Sequence, residues 1–346
     1  MLKVSIIGAS GYTGSELMRI LVNHPQVEFA HLTARSLAGE VIAEHFPIFT
    51  GYLRDKTFTE MDLDQIKKDS DLVFICLPHG HSMSMVKELL GSVKVIDMGA
   101  DFRLKDIDTY EETYQVEQLA PELVDQAVYG LTEFYRKEIK TADLIANPGC
   151  FATNALLALM PLVKNNLIDN QSIIFDAKTG ISGAGRSANV DNLLSELGNS
   201  FKVYNPLGHR HIPEIEQELG GQSSSQTMIQ FTPQLLPTER GIYSSVYADA
   251  AQETSTEVLH ELFEEFYAGE DFVHVLAPGQ LPNLKAVKGS NHCHLQVQYD
   301  ERTKRILVFS SLDNLMKGAS GQAVQNMNLM FGFEEKLGLE STGMMP

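Results

Sequence analysis

The feature that most constrains the fold is a strand, a glycine-rich loop and a helix at the start of the chain. Residues 4–7 are a short apolar run rich in β-branched side chains, residues 8–14 read Gly-Ala-Ser-Gly-Tyr-Thr-Gly, and residues 15–22 have a helical pattern. This order is typical of the first turn of a Rossmann-type domain, where a helix N-terminus meets a dinucleotide pyrophosphate. The spacing is GxxGxxG rather than GxGxxG, so a plain turn is the alternative.

The three glycines of this loop have separate expected tasks. Gly8 permits the tight turn, Gly11 lets the backbone approach a pyrophosphate, and Gly14 allows the helix to pack closely on the strand. The sequence therefore predicts an α/β fold that begins with a dinucleotide-binding domain.

Charge and composition exclude several classes of partner. Of the 346 residues, 45 are acidic and 27 basic, which gives a formal charge of −18. Nucleic acids and anionic membranes attract basic surfaces, so neither is an expected partner. The chain has neither a signal-like apolar core at its N-terminus nor an apolar run of 18 residues, and its three cysteines lie far apart without a CxxC motif. We therefore expect a cytoplasmic protein without disulfides or a metal centre.

The end of the second predicted strand, residues 27–32, indicates which cofactor is preferred. An NAD-preferring domain carries an acidic residue near this point, but here Arg35 and Ser36 follow the strand. A guanidinium and a hydroxyl suit a ribose 2′-phosphate, which favours NADP(H). A solvated loop arginine is the alternative.

Two further apolar runs are predicted as strands of the same sheet. Residues 71–78 are nearly continuously apolar, as a strand covered on both faces should be, and Cys76 within them is assigned to the core. The strand leads to His79 and His81, which lack a third clustered ligand and are not expected to bind metal. Residues 93–97 form the next strand.

Cys150 is the candidate nucleophile. It lies in the turn Asn-Pro-Gly-Cys at 147–150, directly before the helical run 155–160. The N–H groups and positive dipole end of a helix favour thiolate over thiol, and the thiolate is the form that attacks a carbonyl carbon. A small apolar residue packed under the helix is the alternative.

Two histidines can supply the acid or base that thiolate chemistry needs. His209 and His211 precede Pro213, which suits the first turn of a helix, and Glu214 can orient one imidazole as the third member of a relay. If the segment is extended, the two imidazoles point to opposite faces and only one reaches Cys150.

Cations follow the strand predicted at 172–177. The loop 178–187 is rich in glycine and hydroxyl groups and contains Lys178 and Arg186, and Arg240 lies in a later loop. Such groups bind phosphate or carboxylate oxygens, although a flexible connector has a similar composition.

The second half of the chain is predicted to contain a mostly antiparallel sheet. Its strands are 228–231, 242–248, 292–299 and 305–310, and alternation within the third places Cys293 on the apolar face. The segment 313–328 ends as an apolar-faced helix, which we expect to pack on the first domain.

Several motifs resemble one family, the N-acetyl-gamma-glutamyl-phosphate reductases, within the wider group of aspartate-semialdehyde dehydrogenases. The resemblance spans the whole chain. The motifs that carry it are GASGYTG at 8–14, LPHGHS at 77–82, DMGADFRL at 97–104, NPGCFATN at 147–154, TGISGAGR at 179–186, GHRHIPE at 208–214 and NLMKGASGQAVQN at 314–326.

The resemblance implies NADPH-dependent reduction of N-acetyl-L-glutamyl 5-phosphate to the 5-semialdehyde through a thioester on Cys150. It favours His209 over His211 as the acid/base. Aminoadipyl or aspartyl phosphate are alternative substrates, because they need the same thiolate, and a non-catalytic NADP-binding regulator is an alternative of another class. The implied substrate-binding cations are Arg103, Lys178, Arg186 and Arg240, and the implied cofactor-binding residues are Gly8, Ser10, Gly11, Tyr12, Thr13, Gly14, Arg35, Ser36, Pro78, Ser182, Gly183 and Asn314.

The predicted architecture is thus a Rossmann-type NADP-binding domain and an α+β catalytic and dimerisation domain. The first is expected to comprise residues 1–148 and 314–346, and the second residues 149–313. The partners expected are a small-molecule acyl phosphate and further copies of the chain, as a dimer or tetramer.

Overall fold

The strand, loop and helix at the N-terminus form the beginning of a parallel sheet in the computed structural model, which describes residues 1–190, 193–223 and 225–344. This sheet has six strands in the order β2-β1-β3-β4-β6-β5, and every neighbouring pair is parallel. The strands are β1 (Leu2–Ile7), β2 (Val27–Thr33), β3 (Leu72–Ile75), β4 (Lys94–Asp97), β5 (Val128–Tyr129) and β6 (Leu144–Ala146).

Helices connect these strands, as the crossovers of a parallel sheet require. All four residues of β3 are fully buried, which agrees with the expectation of a strand covered on both faces. The helices are α1 (Tyr12–Leu21), α2 (Ile42–His45), α3 (Leu63–Asp69), α4 (Met83–Leu89), α5 (Ile107–Tyr114), α6 (Pro121–Val124) and α7 (Thr132–Ile139), with a 3₁₀ turn at Pro47–Phe49.

The second sheet has seven strands in the order β11-β12-β13-β10-β7-β9-β8. Its strands are β7 (Ile173–Thr179), β8 (Lys202–Val203), β9 (Ile229–Leu235), β10 (Ile242–Asp249), β11 (Val273–Val275), β12 (Cys293–Asp300) and β13 (Arg305–Leu312). Four neighbouring pairs are antiparallel, while β7–β9 and β11–β12 are parallel. The sheet is therefore mixed, and the prediction of a mostly antiparallel sheet is confirmed only in part.

The helices around this sheet include one that is buried along its length. Every residue from 151 to 163 is buried, so that helix is covered on all sides rather than amphipathic. The helices are α8 (Cys150–Lys164), α9 (Leu194–Leu197), α10 (Ile212–Gly220), α11 (Thr256–Phe266) and α12 (Leu284–Val287), with a 3₁₀ turn at Ile181–Ala184 and a π-helical turn at Met316–Ser320.

The last helix, α13 (Gly321–Met330), contacts α7 and α1, as expected for a C-terminal helix that packs on the first domain. The chain divides into two compact units. The first comprises Met1–Pro148 and Ala319–Glu340, and the second comprises Gly149–Gly318 and the residues from Ser341 onward. None of the described helices is long and apolar enough to cross a membrane.

Candidate active site

Cys150 is the first residue of α8, as the sequence predicts. Gly149 before it has extended backbone angles and caps the helix without a side chain. The thiol therefore lies where backbone N–H groups are not paired within the helix, and the helix dipole favours an anion there. Cys150 is partly exposed, whereas the following residues of α8 are buried. This placement suits a nucleophile better than a packing residue.

His209 and His211 lie on the same side of the chain, next to Phe151. Their ring centroids are 4.9 Å apart, and they lie 5.5 and 6.1 Å from the Phe151 ring. Opposite faces were expected only for an extended segment, and the segment is instead a turn: the Ile212 N–H donates to the His209 carbonyl at 2.9 Å. Both imidazoles therefore flank the residue that follows Cys150.

The protonation state of His209 follows from its surroundings. Burial, and then the positive charge of Arg210, lower its pKa to about 4. Its Nδ1 accepts a hydrogen bond from the His211 backbone N–H at 3.1 Å. At neutral pH His209 is therefore an uncharged imidazole with its proton on Nε2, which is a tautomer assigned from this hydrogen bond.

Tyr204 belongs to the same cluster, although the sequence analysis did not select it. Its ring centroid lies 5.7 Å from that of His209. Burial and then the negative charge of Cys150 raise its pKa, so its hydroxyl stays protonated. A protonated phenol near the thiolate is a hydrogen-bond donor, and a lone tyrosine in a loop gives no sequence pattern that would reveal this.

Glu214 lies at the N-terminus of the nucleophile helix. It is fully buried in the first turn of α10, and its Oε1 accepts a hydrogen bond from the Gly149 N–H at 2.8 Å. The side chain thus supplies the cap that Gly149 cannot. Pro213 occupies the first turn of α10, as predicted.

Gly318 packs directly against Cys150. A Cβ atom on Gly318 would lie 2.8 Å from the Cys150 Cβ, closer than carbon atoms approach in folded proteins. Gly318 belongs to the π-helical turn at 316–320, and its N–H donates to the Asp313 carbonyl at 3.0 Å. Such turns are frequent at functional sites, and here the turn fixes the backbone on which the nucleophile rests.

Three residues expected to bind cofactor are brought together in the second unit. Asn314 Nδ2 donates to Ser182 Oγ at 2.9 Å, and a Cβ on Gly183 would lie 4.0 Å from the same Nδ2. Asn314 Oδ1 accepts from the Gly241 N–H at 2.6 Å. Asn314 therefore ties the 3₁₀ turn at Ile181–Ala184 to the loop before β10.

The cations expected to bind substrate lie in different settings. Lys178 is ion-paired with Asp176, and Arg186 is exposed. Arg240 is ion-paired through Nε with Asp313 Oδ2 at 2.7 Å, and Asp313 is fully buried. In the first unit, the guanidinium of Arg103 donates to the carbonyls of Asn147 at 2.7 Å and Met98 at 3.0 Å.

The glycine loop of the first unit fits a dinucleotide pyrophosphate. Gly8 has φ of +87°, and a Cβ there would lie 2.5 Å from the Cys76 carbonyl oxygen. A Cβ on Gly14 would lie 2.4 Å from the Gly8 carbonyl oxygen, so only glycine permits this approach of α1 to the loop. Gly11 caps α1 without a side chain, which leaves the first-turn N–H groups accessible to an anion. Ser10, Tyr12 and Thr13 complete the loop.

Other residues expected to bind cofactor lie at the carboxyl ends of parallel strands. Arg35 and Ser36 are exposed directly after β2, and Pro78 is exposed after β3. Ligands of doubly wound sheets bind outside this edge. The positions of these residues are therefore compatible with contact to a nucleotide.

A buried pair of carboxyl groups, Asp97 and Asp101, supports the loops at the same edge. Ser82 Oγ lies 2.9 Å from Asp97 Oδ2 and 2.8 Å from Asp101 Oδ2. The hydroxyl has one proton for two such contacts, so one carboxyl must carry the other. Asp101 also accepts from Tyr110 and from the N–H groups of Gly80 and Ser82, so donors meet both of its oxygens. The proton therefore resides on Asp97, whose pKa is raised to about 7 by burial and then by the charge of Asp101.

This proton makes stability depend on pH, and we expect Asp97→Asn to remove that dependence. An asparagine can donate to Ser82 Oγ as the protonated acid does. Because the folded-state pKa lies above the unfolded value of 3.8, wild-type stability falls as pH rises from about 4 to about 7 and then levels off. Between pH 4.5 and pH 8 the free energy of unfolding of the variant should gain on the order of 3 kcal/mol relative to that of the wild type. Urea unfolding of both proteins at pH 4.5 and pH 8 measures these free energies. The same difference between variant and wild type at both pH values would contradict the prediction.

The other two cysteines are in settings that do not suit a nucleophile. Cys293 is fully buried in β12, as predicted. Cys76 lies just past β3 and is half-buried, so its assignment to the core is not confirmed. Burial of its thiol, and then the charge of Asp97 once that carboxyl ionises above about pH 7, raise the pKa of Cys76 and keep it protonated.

Family comparisons cover both units. Residues 3–142 match the NAD-binding domain of semialdehyde dehydrogenases, and residues 150–314 match the dimerisation domain of the same proteins. The chain is 52% identical to N-acetyl-gamma-glutamyl-phosphate reductase of Pelotomaculum thermopropionicum over 99% of each chain. It is 50% identical to the enzyme of the same name from Moorella thermoacetica over the full length of both.

Solved structures share the fold at low sequence identity. An aspartate semialdehyde dehydrogenase II from Vibrio cholerae, complexed with ASA, superposes with a TM-score of 0.71 at 16% identity and covers 96% of this chain and 98% of its own. An aspartate semialdehyde dehydrogenase with NADP from Candida albicans gives a TM-score of 0.68 at 16% identity, with coverage of 96% and 98%. These similarities concern the fold alone.

Proposed function

The chain belongs to the N-acetyl-gamma-glutamyl-phosphate reductase family, and from this we propose that it reduces N-acetyl-L-glutamyl 5-phosphate to N-acetyl-L-glutamate 5-semialdehyde with NADPH. The observation that carries the proposal is the position of Cys150 as the first residue of α8, with two imidazoles against the adjacent Phe151. A helix-start thiol beside acid/base groups is the arrangement that acyl transfer to sulfur requires.

The first step is acyl transfer to Cys150. Its thiolate, favoured by the N-terminus of α8, attacks the carbon of the acyl phosphate. A C–S bond forms, the C–O bond to phosphate breaks with its electron pair on oxygen, and inorganic phosphate leaves. The N–H groups of the first turn of α8, including that of Cys150, stabilise the negative oxygen of the tetrahedral intermediate.

The second step is reduction of the thioester. When bound, NADPH supplies a hydride to the thioester carbon. His209, neutral with its proton on Nε2, donates that proton to the oxygen and so neutralises the thiohemiacetal. The same nitrogen takes the proton back as the C–S bond breaks, which releases the aldehyde and regenerates the Cys150 thiolate. His211 is the competing candidate for this role.

Glu214 acts in this scheme through the nucleophile helix. Its carboxylate accepts from the Gly149 N–H, which orients the turn that carries Cys150. Glu214 follows His211 by three residues in the sequence, and its role in orienting one imidazole stays a proposal. We propose Glu214 as a positioning residue.

Four cations are the proposed ligands of the two anionic ends of the substrate. Arg186 is exposed, and Arg240 is held by a buried carboxylate. Lys178 and Arg103 have protein partners that fix them in the structure. Phosphate and carboxylate oxygens are the groups that guanidinium forks recognise in two-point contacts. We therefore propose Arg103, Lys178, Arg186 and Arg240 as substrate-binding residues.

The cofactor is proposed to bind the glycine loop at 8–14 and the exposed edge of the parallel sheet. Arg35 and Ser36 recognise the 2′-phosphate, with Pro78 beside the nucleotide. Ser182, Gly183 and Asn314 are the remaining proposed cofactor-binding residues. We propose domain boundaries of 1–148 with 314–346 for the NADP-binding domain and 149–313 for the catalytic domain.

We expect Arg35→Gln to reduce the preference for NADPH over NADH. The variant loses a charge-assisted contact to the 2′-phosphate, which at an exposed position corresponds to about a tenfold loss in kcat/KM for NADPH. Turnover with NADH, which lacks that phosphate, should change little. The matched control is Arg54→Gln, another exposed arginine of the first unit. An unchanged ratio of the two kcat/KM values would contradict the role of Arg35.

We propose that the protein self-associates as a dimer or tetramer and is cytoplasmic. The match of residues 150–314 to a dimerisation domain supports self-association. The second unit would then supply the subunit interface.

The decisive test of the proposed function is steady-state kinetics in the reverse direction. N-acetyl-L-glutamate 5-semialdehyde, the aminoadipate semialdehyde and aspartate semialdehyde are compared with phosphate and NADP. The expected result is the highest kcat/KM for the first. Preference for another chain length would overturn the substrate, and absence of turnover on all three would favour a non-catalytic regulator.

A further inference from the structure

Asp313 is a fully buried carboxylate at the end of β13, and donors from three separate segments converge on it. Its Oδ2 accepts from the Gly289 N–H at 2.6 Å and is ion-paired with Arg240 Nε at 2.7 Å. Its Oδ1 accepts from the N–H groups of Leu315 at 2.9 Å and Met316 at 3.3 Å. Every one of these contacts comes from a donor, so an ionised side chain satisfies all of them.

The same residue also holds the turn that supports the nucleophile. The Asp313 carbonyl accepts from the Gly318 N–H at 3.0 Å, and Gly318 lies against the Cys150 Cβ. Asp313 therefore links Arg240 to the segment on which Cys150 rests.

Arg240 is confined by this arrangement. Its backbone lies close to Gly180, since a Cβ on Gly180 would be 2.6 Å from the Arg240 backbone nitrogen. Its Nε is ion-paired with Asp313, and this contact restricts the orientation of the guanidinium. A guanidinium fixed at Nε loses less conformational freedom when it binds.

A second ion pair at the other end of β10 and β13 differs from the Arg240–Asp313 pair in its exposure. Asp249 at the end of β10 and Arg305 at the start of β13 form the corresponding pair at the opposite end, also through Nε at 2.9 Å. Those side chains are 52% and 40% exposed, whereas Asp313 is 0% and Arg240 17% exposed. An exposed pair contributes little, while a buried pair fixes geometry at the cost of desolvation.

We propose that Asp313 is a positioning residue that holds the Arg240 guanidinium for an anionic group of the substrate. The ligand chemistry is a pair of anionic oxygens, from either the α-carboxylate or the phosphate. This inference rests on the proposed function for the presence of such a substrate. It adds Asp313 as the residue that fixes the Arg240 guanidinium before the substrate binds.

The test is a double-mutant cycle with Asp313→Asn and Arg240→Gln, measured in the reverse direction on whichever of the three semialdehydes the wild type turns over fastest. Each single variant should raise either the KM for the semialdehyde or the KM for phosphate by about ten- to a hundredfold, while the KM for NADP stays within twofold. The double variant should be no worse than Arg240→Gln alone, because both changes act through one guanidinium. A rise in the KM for the semialdehyde identifies the carboxylate as the ligand, and a rise in the KM for phosphate identifies the phosphate.

Asp249→Asn is the matched control and should leave every KM unchanged. The proposal would be overturned in favour of a merely structural role if the KM increases of Asp313→Asn and Arg240→Gln multiply in the double variant. A loss of kcat with all KM values unchanged would overturn it as well. If Asp313→Asn does not fold, Asp313→Glu keeps the charge but displaces the guanidinium, and the same selective rise in one KM is expected. A preference for an unexpected semialdehyde would contradict the proposed substrate and leave this test intact.

Discussion

Replacing Cys150 by serine should abolish reduction of the acyl phosphate, with a loss of more than about 10³-fold in kcat. A serine hydroxyl at the same helix start is far less acidic than a thiol, so the N-terminus of α8 cannot convert it to an alkoxide. Without the Cys150 thiolate, the enzyme-bound thioester that accepts the hydride cannot form. The measurement is reverse-direction turnover of the semialdehyde with phosphate and NADP.

Two controls separate this result from a damaged fold. NADPH binding, followed by cofactor fluorescence, should be unchanged in Cys150→Ser because the glycine loop at 8–14 belongs to the other unit. Cys293→Ala, which changes a buried sulfur in β12, should lower stability by roughly 1 kcal/mol yet retain turnover. Residual turnover of Cys150→Ser within tenfold of the wild type would contradict a covalent mechanism.

Chemical labelling gives an independent view of the same thiol. Iodoacetamide at neutral pH should modify Cys150 before the other cysteines, because Cys293 is buried and burial raises the pKa of Cys76. Substrate should protect it. An unreactive Cys150 would instead fit a regulator that binds NADP without catalysis.

The features that the sequence predicted well are local ones. The strand, glycine loop and helix at 2–21 depend on neighbouring residues, and the glycine positions follow from close contacts within that segment. The position of Cys150 at a helix start was predictable for the same reason. Short strands such as β5 and β11 were missed, because two or three residues show no periodicity and pair only through the sheet.

The directions of the strands in the mixed second sheet could not be predicted from the strand sequences. Strands β7 and β9 are parallel neighbours, although the strand runs alone favoured antiparallel pairing. The described residues between them include the 3₁₀ turn at Ile181–Ala184, α9, β8 and α10, and this connection is long enough for a crossover. Strand direction therefore depended on the connection rather than on the strands themselves.

The support of the candidate site could not be read from the sequence, because it depends on contacts between distant segments. Asp313, Gly318 and Tyr204 carry no motif, and each acquires its role only when the fold brings it to Cys150 or Arg240. The histidine pair was predicted as a pair, but its geometry depended on a turn at 209–212.

His209→Gln should lower kcat by about 10²- to 10³-fold while leaving both KM values within a few fold. The imidazole donates and takes back a proton only as the thiohemiacetal forms and collapses, so its loss affects the chemical step. The matched control is His211→Gln, which keeps the backbone N–H that holds His209 Nδ1 at 3.1 Å. That variant should lose less than tenfold in kcat, and the reverse order of the two losses would assign the role to His211.

The pH profile distinguishes a proton donor from a structural imidazole. Because burial and then Arg210 lower the pKa of His209 to about 4, the neutral tautomer persists until pH falls through that value, and this group causes no loss of kcat between pH 5 and 8. Removing the nearby charge in Arg210→Gln should move the acid limb of the kcat profile to higher pH, because the pKa then rises toward 6.5. The part of the acid limb that belongs to His209 should be absent from His209→Gln. An acid limb that stays in place in both variants would mean that the proton comes from another residue, and Tyr204, whose ring lies 5.7 Å from that of His209, would be the next to change.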